Sequence, residues 1–68
     1  SYQPYTEYLE IEKEIKDWEY NKKQIEQEFA DGKVTDDKIE AKANELQKII
    51  QTLEEKEERW FELSSKME

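Results

Sequence analysis

The feature that most constrains this chain is a pair of apolar ribbons that can be read outward from a single glycine. Tyr8, Ile11, Ile15, Trp18, Lys22, Ile25 and Phe29 follow one another at alternating steps of 3 and 4 residues. That spacing is a heptad seam of a and d positions, interrupted by Lys22. Beyond the glycine, Ile39, Ala43, Leu46, Ile50, Leu53, Glu57, Trp60, Ser64 and Met67 step by 4 and 3. Glu57 and Ser64 interrupt this second seam, while Ile49 and Leu63 widen it on one side. In an antiparallel hairpin, facing residues have residue numbers of constant sum. Phe29 with Ile39, Ile25 with Ala43, Lys22 with Leu46, Trp18 with Ile50, Ile15 with Leu53 and Tyr8 with Trp60 all sum to 68. Each pair sets an a position against a d position, as antiparallel coiled coils require. The expected fold is all-α, a two-helix antiparallel coiled-coil hairpin.

Local signals place the reversal at Ala30–Asp37. Gly32 is the only glycine and can take the left-handed conformation that ends a helix at little steric cost. Thr35 is positioned to cap the next helix, with Asp36 and Asp37 in a first turn where the helix dipole favours negative charge. Val34 and Ile39 have the spacing of a hydrophobic staple. At the other end, Pro4 is tolerated only in a first turn. Either Ser1 caps that turn, or Gln3 flanks it and Pro4 is the first helical residue. The reading is one helical hairpin over residues 1–68: a helix over about 4–30, a turn at 31–35 and a helix over about 36–66.

Composition narrows the function classes. A core of 68 residues is marginal without disulfides, metal or a partner. The chain has no Cys and no His, so disulfides, thiolate sites and imidazole ligands are excluded. No apolar run approaches the ~20 residues of a membrane span, and no signal-peptide pattern opens the chain. Nucleotide-binding loops of the GxxxxGK[ST] type cannot be written with one glycine. Carboxylate pairs arise by chance among 19 acidic residues, and nothing suggests a desolvated pocket to perturb them. No catalytic, cofactor or metal site is expected. A net charge of −8 argues against broad attraction to nucleic acid or anionic lipid.

The flanks of the seam carry the candidate surfaces. One side places Glu14 near Lys56 and Glu28 near Lys42. The other gathers Glu12, Glu19, Glu26, Glu40 and Glu54 into an acidic stripe, read first as a solvated face and second as a dock for a basic partner. Lys22 is read as snorkelling from the seam and fixing its register. Tyr2, Tyr5, Tyr8, Leu9, Trp60, Phe61 and Leu63 concentrate at the open end. Tyr8 and Trp60 are read as a core plug; Tyr5, Leu9 and Phe61 lie beside or off the seam and are candidate docking residues. Positive charge is concentrated at Lys16, Lys22 and Lys23 along the first helix and at Lys33 and Lys38 around the turn, the candidate nucleic-acid contacts.

The chain resembles the C-terminal domain of ABC-F type ATPases, the Uup-like proteins. The resemblance rests on Ser1-Tyr2, on Ile11-Glu12-Lys13-Glu14-Ile15, and above all on the run from Leu53 to Ser64 with its Glu58-Arg59-Trp60 followed by Glu62-Leu63. Gln3-Pro4-Tyr5 departs from the charged helix formers usual there. The resemblance implies the tail of a longer cytoplasmic protein, with two ATP-binding cassettes upstream and no membrane domain. It implies ribosome, RNA or DNA contact, with ATP and Mg belonging to the cassettes and none to this piece. Two alternatives follow from the residues instead. One is an acidic coiled-coil module for protein–protein interaction. The other is self-association, in which Ile49, Leu63 and Phe61 extend the seam to a second hairpin as a four-helix bundle.

Overall fold

The computed structural model describes residues 2–67. Helix α1 runs Pro4–Ala30, a single 3-10 turn spans Asp36–Lys38, and helix α2 runs Ile39–Lys66. The two α-helices pack along their lengths into an antiparallel hairpin of 49 × 19 × 16 Å, so the expected fold class is the observed one. Gln3, extended at φ −124°, precedes α1, and Pro4 opens it. Proline suits that place because its missing N–H has no intrahelical partner there anyway. The reading of Ser1 as a cap lies outside the described residues.

The turn is closed by backbone bonds. Gly32 has φ 67°. Its N–H donates to the Phe29 carbonyl at 3.1 Å, and the Lys33 N–H donates to the Glu28 carbonyl at 2.9 Å. Together these are the two bonds of a Schellman motif, which satisfy carbonyls left over at the end of α1. The far side of the turn departs from expectation. Thr35 makes no side-chain cap; its hydroxyl donates to Asp37 Oδ1 at 2.6 Å. Its carbonyl accepts from the Lys38 N–H at 2.8 Å. The tighter i→i+3 winding supplies the bond that a capping hydroxyl would have offered, and the nearby carboxylate takes the hydroxyl proton. Val34 is half-buried and Ile39 is exposed.

Packing along the hairpin corrects the sequence register on α2. The buried residues are Ile25, Ile49, Leu53 and Leu63, with Leu63 fully enclosed. Ile15, Trp18, Phe29 and Leu46 pack against the cluster of Ile25, Ile49 and Leu53. The seam spacing predicts Ile50 and Ser64 inward; they are half-buried, and Ala43 and Glu57 are exposed. The core of α2 has thus rolled by about one position, toward the flank holding Lys42, Ile49, Lys56 and Leu63. A physical asymmetry accounts for it. On that flank Lys42 pairs with Glu28 at 3.2 Å and Lys56 pairs with Glu14. On the other flank the same register sets Glu12 toward Glu54 and Glu26 toward Glu40, where like charges repel. Attraction and two large apolar side chains on one side, with repulsion on the other, turn the helix inward at Ile49 and Leu63.

Candidate functional site

Two surfaces emerge, one at the open end and one along α1. The open end is tied by Arg59, whose Nε donates to Glu7 Oε2 at 2.8 Å and whose Nη2 donates to Glu7 Oε1 at 2.9 Å. This bidentate pair is the strong geometry for a guanidinium and a carboxylate. The Tyr2 hydroxyl donates to the same carboxylate and accepts from Arg59 Nη2 at 3.0 Å. The consequence is a Glu7 carboxyl held well below its usual range, at about 2, by Arg59 first and Tyr2 second. The Arg59 guanidinium is correspondingly raised by Glu7, and the Tyr2 phenol is raised because it donates to Glu7. Tyr2 and Glu7 were not singled out as partners of Arg59 in the sequence, where the motif Glu58-Arg59-Trp60 was the only pointer to this residue.

Beside this clasp lies an aromatic ladder. Tyr8 stacks on Trp60 at 5.4 Å between centroids with 24° between planes, and Tyr5 stacks on Tyr8 at 6.5 Å and 14°. The core-plug reading of Tyr8 and Trp60 fits this stack; both are half-buried. Desolvation raises the Tyr8 phenol, and the charge of Glu12 adds to the rise. Trp60 Nε1 is buried with no hydrogen-bond acceptor among the described residues. The docking candidates divide. Phe61 is 68% exposed, Tyr5 60% and Leu9 44%, yet Tyr5 is engaged by the ladder. Phe61 lines a groove on the acidic flank together with Ile15, Trp60, Glu12, Lys16, Glu19 and Glu57. Of the three residues proposed to extend the seam to a second hairpin, Ile49 and Leu63 are used inside this one. Ile49 and Leu63 therefore do not widen the seam outward, and of the three only Phe61 stays exposed.

Along α1 the structure brings Lys16, Lys22 and Lys23 around one shallow depression with Tyr20, Glu19 and Glu26. Tyr20 is 63% exposed and was not among the sequence candidates; its i, i+3 relation to Lys23 and i, i+4 relation to Lys16 could have found it. Lys33 and Lys38 sit apart at the turn, both exposed. Among the described residues none of these five lysines is in an ion pair, the pairs being Lys42–Glu28, Lys56–Glu14 and Arg59–Glu7. Lys22 is half-buried at the rim of the seam. Among the described residues no group of acidic side chains is placed to hold a metal ion, and no helix is long and apolar enough to cross a membrane.

No curated protein and no solved structure matches the chain. The family model of the ABC transporter C-terminal domain matches residues 1–65, nearly the whole hairpin including the clasp, the ladder and the turn. The chain belongs to the ABC transporter C-terminal domain family, an accessory domain of ABC proteins.

Proposed function

We propose that this hairpin is the non-catalytic arm of an ABC-F type ATP-binding protein, following its ATP-binding cassettes in the cytoplasm. In this reading ATP and Mg are bound upstream, and the arm contributes ribosome or nucleic-acid contact through the lysine face of α1. The supporting observation is the grouping of Lys16, Lys22 and Lys23, none ion-paired among the described residues, around the exposed ring of Tyr20. Ammonium groups that track phosphates beside an aromatic ring that stacks a base are the two ingredients of single-strand recognition. Lys33 and Lys38 extend the positive charge at the turn. Glu19 and Glu26 lie between the lysines, and the chain carries −8 overall, so contact should be weak and strongly salt-dependent in the isolated hairpin.

The test is fluorescence anisotropy of labelled single-stranded RNA and DNA with the 68-residue chain over a series of salt concentrations. Three phosphate contacts give a slope of log affinity against log salt of about −2. The triple variant Lys16→Gln, Lys22→Gln, Lys23→Gln should flatten that slope with unchanged helicity by circular dichroism. No binding at ~50 mM salt, or an unaltered slope in the triple variant, would remove the lysine face from the reading.

A further inference from the structure

We infer that the groove on the acidic flank near the open end receives a basic amphipathic helix from a protein partner. The inference is independent of nucleic-acid contact by the lysine face. The register places like charges opposite each other along this flank. Among the described residues none of Glu12, Glu19, Glu26, Glu40 and Glu54 is in an ion pair. The three ion pairs among the described residues belong instead to Glu7, Glu14 and Glu28, seven and fourteen residues apart on one flank of α1. With Ile49 and Leu63 rolled into the core on the opposite flank, half-buried Ile15 and Trp60 and exposed Phe61 line an open groove on this one.

The chemistry of the occupant follows from the rim. Glu12, Glu19 and Glu57 face the groove against Lys16 alone, three carboxylates to one ammonium. A nucleic-acid backbone would meet repulsion there. A second copy of this chain would bring the same acidic flank and a net charge of −8. A helix with apolar residues at i, i+3 or i+4 and i+7, bordered by Lys or Arg, meets both needs: its apolar stripe covers Phe61, Trp60 and Ile15, and its cations reach the three glutamates. Bound there, it would turn the two-helix hairpin into a three-helix arrangement and relieve the like-charge repulsion of the flank.

The experiment uses the 68-residue chain with Trp18→Phe, so that Trp60 alone reports. The probe is a synthetic helical peptide with Leu at every third or fourth position and Lys elsewhere; its control has Glu in place of Lys. Trp60 emission is expected to shift and saturate with the Lys peptide and to stay unchanged with the Glu peptide. Phe61→Ser should weaken binding by about tenfold with helicity intact, since truncating a central aromatic anchor is a hot-spot loss. Combined Glu12→Gln, Glu19→Gln and Glu57→Gln should abolish the salt dependence of binding. Equal response to both peptides, or unchanged affinity in Phe61→Ser, overturns the inference. So does a dimer in sedimentation that Phe61→Ser dissolves, which assigns the groove to a second copy. Single-stranded RNA binding lost on Phe61→Ser overturns it as well, because the groove would then serve nucleic acid.

Discussion

At Gly32 a Cβ would meet nothing within 4 Å, yet the backbone stands at φ 67°. Gly32→Ala therefore isolates conformational cost from steric clash. The expected loss is about 1 kcal/mol, with Gly32→Asn milder because asparagine tolerates the left-handed region; chemical denaturation of both variants checks the order. Glu7 offers a second residue-scale prediction. Its folded pKa lies at about 2 against an ordinary 4.5, a depressed carboxylate. Its contribution to stability is therefore fully present above pH 4.5 and is lost as pH falls through about 2. The thermal midpoint of the native chain should exceed that of Glu7→Gln at neutral pH, and the gap should close in strong acid. A gap that stays constant across this range would mean that Arg59 does not hold Glu7 in solution. At Trp60 the indole is packed while its N–H has no well-formed acceptor among the described residues, so area and stacking on Tyr8 hold the ring in place.

At the scale of the helices, stability rests on few side chains. Leu53 is 5% exposed and Leu63 fully buried, and a hairpin of this size has only about 3–5 kcal/mol to spare. Leu53→Asp removes a core side chain and strands a charge among Ile25, Ile49 and Trp18. Its expected cost exceeds about 4 kcal/mol, enough to melt the hairpin. Ile15→Asp, at the rim of the same seam, should act in the same direction and less severely. Circular dichroism that retains the native helix signal and midpoint in Leu53→Asp would refute the placement of this seam. The ion pairs between helices matter in another way. Glu28–Lys42 and Glu14–Lys56 are partly exposed and contribute about 0.2–1 kcal/mol each. They lie on the flank where Ile49 and Leu63 are buried, so they act in the same direction as the larger apolar burial there.

For the molecule as a whole, the sequence was sufficient to specify a rod doubled on itself. Two heptad seams that share one mirror register, with a glycine between them, leave little else for the chain to do. The Glu14–Lys56 and Glu28–Lys42 pairs were also legible, because constant-sum pairing fixes the neighbours of each flank. Less was legible at the candidate surfaces. Tyr20 was hidden among polar residues, and it became relevant only when the helix placed it between Lys16 and Lys23. The groove under Phe61 could not be foreseen while Ile50 and Ser64 were assigned to the core, since its opening depends on the roll of α2. Sequence alone thus determined that two helices pair, where they reverse and which residues of α1 line the seam, because heptad spacing and backbone conformation are local properties of the chain. Only the tertiary structure decided how far α2 turns about its axis, because that angle is set by the burial of Ile49 and Leu63 together with ion pairs on one flank and like-charge repulsion on the other, none of which acts until the helices have met.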